Sequence, residues 1–163
     1  MLKATDNAAD VIGYRDSDVA DADVLKKLKD DYNWPLTDPD TCYEYDEPED
    51  SKSLAAEWSA ASSKYLSQAQ LIDADAAAVR ESRQKKLGND ARKRVSDKLA
   101  TARQLLTDSE GKTKGNEVRQ TLTDRINEAQ RLVDSGSYEL ERLETMESDL
   151  QKAMDEVNKN MEE

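Results

Sequence analysis

From Ser53 onward, apolar residues recur at spacings of three and four, and this period constrains the fold more than any other feature. The first stripe comprises Leu54, Trp58, Ala61, Tyr65, Ala69, Ile72, Ala76 and Val79. A helix of about 3.6 residues per turn places residues at these spacings along one face, whereas a strand needs alternation. The pattern therefore predicts a long amphipathic helix over residues 53–84, whose apolar face must be buried against other helices.

Polar segments that contain glycine interrupt this period three times, at Gly88-Asn89, residues 110–116 and residues 135–137. Between and after these breaks, new apolar stripes predict helices over residues 90–108, 117–134 and 138–161. Short connections of this kind favour antiparallel hairpins. The predicted fold class is all-α, with residues 53–163 forming an elongated antiparallel bundle of three to four amphipathic helices.

Part of this bundle repeats when the chain is shifted by 27 residues. The shift lays Gly88, Asn89, Arg92, Asp97, Ala102 and Leu105 on Gly115, Asn116, Arg119, Asp124, Ala129 and Leu132. We interpret the match as a duplicated helix-and-turn unit, the alternative being that any two amphipathic helices look alike. Gly88 and Gly115 are predicted to take the positive φ that ends a helix, and Asn89 and Asn116 to cap the helices that follow.

Residues 1–52 have a different texture and are predicted to form an irregular acidic N-terminal arm. All three prolines lie there, and residues 1–50 hold 15 Asp/Glu against 5 Lys/Arg, a net charge of −10 in a chain of −12. One short helix is predicted over residues 21–32, where Val24, Leu25 and Leu28 form an apolar stripe. Beyond it, the density of prolines predicts an extended tether.

Aromatic residues in this polar arm are the candidates for contact with a partner. Trp34, Tyr43 and Tyr45 either anchor the arm to the bundle or bind another molecule. Trp58 and Tyr65 lie seven residues apart on the first stripe, and for them we predict core packing.

The chain has few of the residue types on which catalytic and metal-binding sites depend. The chain has no histidine, which excludes imidazole ligands and Ser-His or Cys-His nucleophiles, and its single cysteine, Cys42, cannot form an intrachain disulfide. Gly111-Lys112-Thr113 lacks the upstream glycine of a phosphate-binding loop. We predict a protein that is not an enzyme, with no catalytic residues, no cofactor and no metal site.

The charge of the chain bears on its partners. An acidic protein repels phosphate, so we expect no nucleic acid or anionic membrane among them. No apolar run approaches the roughly 20 residues that span a membrane, so we expect no direct membrane insertion. One alternative stays open: an intracellular acidic protein that binds a basic partner, acting as a nucleic-acid mimic. Another is weak self-association through an exposed stripe.

Residues 99–136 resemble helical repeats in secreted and cell-wall-anchored proteins of Gram-positive bacteria, especially actinobacteria. The residues that carry the resemblance are Leu105-Leu106, Ser109, Gly111-Lys112 and Arg119-x-x-Leu122. The stretch is also loosely similar to the small helical FIVAR modules of surface proteins. The resemblance implies a non-catalytic, extracytoplasmic surface module, a helical spacer or adhesion-type domain, whose partner is a protein or a cell-wall ligand. It also implies a leader or anchor outside these residues.

Overall fold

The computed structural model describes residues 2–35 and 48–161, and over these residues the protein is all-α. The helices are α1 (Leu2–Ala8), α2 (Ala22–Tyr32), α3 (Pro48–Asp108), α4 (Glu117–Asp134) and α5 (Leu140–Asn160), with a 3₁₀ turn at Asp16–Asp18. The described residues contain no named strand, only an isolated bridge between Thr113 and Met161. The predicted all-α class is confirmed.

Two compact units divide the chain, residues 1–83 and 84–163. We call them the N-terminal and the C-terminal unit. Helix α3 contributes its residues up to 83 to the first unit and those from 84 to the second. The predicted boundary at residues 52/53 is therefore corrected, because the N-terminal segment and the first part of α3 share one core.

The C-terminal unit is a three-helix bundle of α3 from residue 84, α4 and α5. Its buried core comprises Ala91, Val95, Leu99, Ala102, Leu122, Ile126, Ala129, Leu132, Leu143, Met146, Leu150, Ala153, Met154 and Val157. These residues recur at helical spacing, and burying each large aliphatic side chain contributes roughly 1.5–3 kcal/mol. The predicted helix at 117–134 is confirmed, and the one predicted at 138–161 spans 140–160. Of the apolar positions that match across the 27-residue shift, Ala102, Ala129 and Leu132 are in this core, and Leu105 is partly buried against it.

Over residues 2–35 the N-terminal unit has packed helices where an irregular arm was predicted, whereas most of the predicted tether, residues 36–47, lies outside the described residues. Its buried core comprises Ala4, Ala8, Val11, Val19, Leu25, Leu28, Ile72, Ala76 and Val79. Helix α2 is confirmed at its predicted place, and the Asp21 carboxylate caps it by accepting from the backbone N–H of Asp23 at 3.0 Å. Helix α1 was not predicted, because its apolar face is made of small side chains that become a recognisable core only against α3.

Gly88 does not break a helix, so the two helices predicted over 53–84 and 90–108 are one helix, α3. A Cβ atom built at Gly88 would lie 2.1 Å from the backbone oxygen of Tyr138 in the α4–α5 connection. Glycine at this position permits the backbone of Tyr138 to come close, although it makes the helix about 1 kcal/mol less stable than alanine would. Asn89 lies inside α3, where its side chain accepts from Arg92 at 3.1 Å and caps nothing.

The predicted breaks at residues 110–116 and 135–137 are confirmed, but their chemistry differs from the prediction. Positive φ occurs at Gly111 (69°) and Gly136 (70°), and at neither Gly88 nor Gly115. Asn116 precedes α4, yet its side chain makes no capping hydrogen bond. The duplicated unit thus shares its buried helix face and not its turn.

Candidate binding surface

Trp34 is the only predicted contact residue within the described part of the chain. It follows the end of α2, is partly buried, and meets Tyr65 of α3 edge to face, with ring centroids 6.5 Å apart and planes at 76°. Such a contact stabilises by about 0.5–1.5 kcal/mol beyond the area it buries. Trp34 therefore anchors the end of α2 to α3. Tyr43 and Tyr45 lie outside the described residues.

Helix α3 carries three buried polar residues at intervals of seven, which we call the polar ladder: Gln68, Asp75 and Ser82. Ser82 Oγ accepts from the backbone N–H of Asp21 at 2.9 Å, and the Ser82 carbonyl accepts from the backbone N–H of Ala20 at 3.1 Å. Ser82 thereby holds the residues that begin α2. The polar ladder was not predicted from the sequence. Its signal is present there, because a polar residue recurs every seven positions between the apolar residues of the helix.

The other two rungs bind the middle and the end of α2. Lys27 Nζ lies 2.6 and 2.8 Å from the two carboxylate oxygens of Asp75 and 3.2 Å from Asp31. Gln68 Nε2 donates to the backbone oxygen of Asp31 at 2.6 Å. Together the rungs fix α2 antiparallel to α3, because positions 21, 27 and 31 meet positions 82, 75 and 68.

The two carboxyl groups beside Lys27 differ in acidity. Burial raises the pKa of Asp75, and its hydrogen bond to Lys27 opposes that shift without cancelling it. The hydrogen bond from Asp75 lowers the pKa of Asp31, helped by Lys27. As pH falls, the buried Asp75 is therefore the first of the two carboxyl groups to take up a proton. Because both carboxyl groups contact other groups of their own unit, we interpret the cluster as a device that sets the register of α2.

Exposed large apolar side chains concentrate on the N-terminal half of α3. Trp58 is 44% exposed, Leu66 65% and Leu71 44%. The prediction of core packing for Trp58 is wrong, whereas Tyr65 is partly buried. Leu54, Trp58, Ala61 and Tyr65 form one face of α3, which we call the α3 stripe. The same face is fully buried further along, at Ile72, Ala76 and Val79.

A groove of about 260 Å³ lies between α4 and α5 in the C-terminal unit. It is lined by Val118, Thr121, Arg125, Asp149, Lys152, Ala153 and Glu156. Its charges pair along their own helices, with Arg125 2.7 Å from Glu128 and Lys152 3.5 Å from Asp149. The groove is smaller than a typical ligand pocket, so we do not assign it a ligand.

Across the described ranges, no cluster of three or more Cys, Asp or Glu side chains has an arrangement that would hold a metal ion. Nor does any described helix have the length and apolarity needed to cross a membrane. No protein-family model, curated protein or solved structure matches the chain.

Proposed function

We propose that this chain is a non-catalytic surface module, a helical spacer or adhesion-type domain that binds a protein or a cell-wall ligand. The observation that carries the proposal is the concentration of large exposed apolar side chains, Trp58, Leu66 and Leu71, on the N-terminal half of α3. Each of these side chains leaves apolar area in water that contact with a partner would bury. The absence of histidine from the sequence supports a binding role over catalysis.

Binding is tested with the full chain, fluorescently labelled, on intact Gram-positive cells and on their purified cell walls. Replacing Leu66 and Leu71 by Ser should weaken binding at least tenfold, because it removes apolar contact area from α3. The matched control is Gln70→Ser, which changes an exposed polar residue of the same segment. Equal binding by both variants would contradict a role for this surface.

The extracytoplasmic location rests on the resemblance of residues 99–136 to repeats of secreted and wall-anchored proteins. Fractionation of the source organism, with antibody detection, should place the protein in the cell-wall or culture-medium fraction. A protein recovered only from the cytoplasm would remove this part of the proposal.

A second candidate function, binding of a basic intracellular partner, is favoured by the charge of −10 on residues 1–50. Asp16, Asp23 and Asp30 are exposed on the N-terminal unit. Replacing all three by Asn should weaken salt-sensitive binding to a basic protein, because such binding depends on screened Coulomb attraction. Deleting residues 1–50 is unsuitable, since α1 and α2 belong to the core.

A further inference from the structure

We propose that the α3 stripe binds the α3 stripe of a second copy of this chain, in antiparallel orientation. The inference rests on the proposed function, because it names a partner for Trp58, one of the large apolar side chains exposed on α3. The stripe continues the seam that α2 covers further along the helix. Helix α2 ends at Tyr32, Trp34 contacts Tyr65, and one heptad upstream Trp58 keeps 44% of its surface exposed.

The spacing of the stripe is that of a coiled coil. Leu54, Trp58, Ala61 and Tyr65 are separated by four, three and four residues, which places them at alternating d and a positions. The heptad continues through the polar ladder and through Ile72 and Val79, which already pack against other helices of the unit. The stripe therefore has the register to receive one more helix along the same line.

Side-chain size favours the antiparallel orientation. Antiparallel pairing about the middle of the stripe sets Trp58 opposite Ala61 of the second copy, and Leu54 opposite Tyr65 of the second copy. Each layer then combines a larger with a smaller side chain, as close packing requires. Parallel pairing would set Trp58 against Trp58 of the second copy and leave Ala61 facing Ala61, which fills the seam unevenly.

Charge favours the same orientation. Glu57 and Lys64 are both exposed and lie seven residues apart on one flank of the stripe. In the antiparallel arrangement Glu57 approaches Lys64 of the second copy, and the two-fold axis repeats this pair. Symmetric dimers are built from such self-complementary surfaces. The contact is short, so we expect a reversible dimer with a dissociation constant in the micromolar range or weaker.

Sedimentation velocity of the full chain over a wide concentration range measures the association. Trp58→Ala should weaken it at least tenfold, because the largest side chain of the stripe is lost. The matched control is Leu66→Ala, which removes a side chain 65% exposed and outside the stripe, and should leave dimerisation unchanged. Far-ultraviolet circular dichroism checks that both variants keep their helices.

Charge reversal separates the pairing from a general effect of the stripe. E57K or K64E alone sets like charges against each other at both copies of the pair and should weaken the dimer about tenfold. The double variant E57K/K64E restores opposite charges in exchanged positions and should recover most of the affinity. Recovery requires the two residues to meet across the interface, so its failure would overturn the proposed pairing.

Orientation is measured with one spin label at Gln70→Cys in a Cys42→Ser chain. Antiparallel pairing puts the two labels about 30 Å apart along the helix axis, at about 1.5 Å per residue, whereas parallel pairing brings them within about 15 Å. A chain that stays monomeric at all concentrations, or a dimer insensitive to Trp58→Ala, overturns the inference. Cell-wall binding by a monomeric chain would overturn self-association alone and leave the surface-module proposal standing.

Discussion

The two units of this protein bury different kinds of side chain. In the C-terminal unit, the seams between α3, α4 and α5 are filled by Leu, Ile, Val, Met and Ala, and Ser109 is the buried polar residue of its described part. In the N-terminal unit, three polar rungs on α3 hold α2. An apolar seam supplies stability without fixing one register, whereas polar rungs leave a buried group unsatisfied if the helix slides. Helix α2, which is shorter than α4 and α5, is therefore held in a more specific register than they are.

The largest expected effect tests the apolar seam of the C-terminal unit. Leu150 is fully buried on α5, and Leu150→Ala should lower the free energy of unfolding by about 2–5 kcal/mol through lost contacts and a cavity. Urea unfolding followed by circular dichroism measures the loss. Leu66→Ala, at a position 65% exposed, should change stability by less than about 0.5 kcal/mol. Equal losses at the two positions would contradict the assignment of the core.

Gly88 gives the next largest effect, with a sign that distinguishes two interpretations. A helix interior with free space would gain up to about 1 kcal/mol from Gly88→Ala. Because the added Cβ would meet the backbone of Tyr138, we expect instead a loss of about 1–3 kcal/mol. The control is Gly115→Ala, whose Cβ meets nothing within 4 Å and whose φ is not positive, so stability should stay equal or rise slightly.

The polar ladder is tested at Ser82, with the buried Ser109 of the C-terminal unit as the comparison. Ser82→Ala removes the acceptor of the Asp21 N–H and should cost about 1–2 kcal/mol. Ser109 follows the last residue of α3, and Ser109→Ala removes a hydroxyl that donates to the backbone oxygen of Leu106, which should cost about 0.5 kcal/mol. Trp34 and Trp58 are the only tryptophans and both belong to the N-terminal unit, so fluorescence-detected unfolding should shift for Ser82→Ala alone.

The smallest effect is a dependence on pH. Because the pKa of Asp75 is raised, the folded state gains stability as pH falls through that pKa towards 3.8, the ordinary value. The lowered pKa of Asp31 and that of Asp10 beside Arg80 act oppositely, so stability is lost as pH falls below 3.8. Fluorescence-detected urea unfolding between about pH 3 and 7 measures both the gain and the loss of stability. Asp75→Asn should remove the gain and keep the loss, and a gain that persists would assign it to another group.

The α4 and α5 helices and the turns around them could be predicted from the sequence. Their apolar residues recur over several turns, and a segment that contains glycine precedes each helix, so the period and the breaks agree. The exposure of Trp58 could not be predicted, because spacing shows which face a residue shares and not whether another helix covers that face. For the same reason Trp34 was a candidate contact whose intramolecular partner, Tyr65, appeared only in the structure.

The sequence by itself determined the helical class, the core faces of α4 and α5, and the position of α2, because these depend on neighbours within a few turns. The tertiary structure decided what depends on distant residues. Gly88 lies inside a helix because the backbone of Tyr138 approaches it, residues 2–20 fold because α3 covers their small apolar side chains, and Gln68, Asp75 and Ser82 are buried because α2 supplies their partners. Local periodicity does not show which distant backbone or side chain will pack against a given residue.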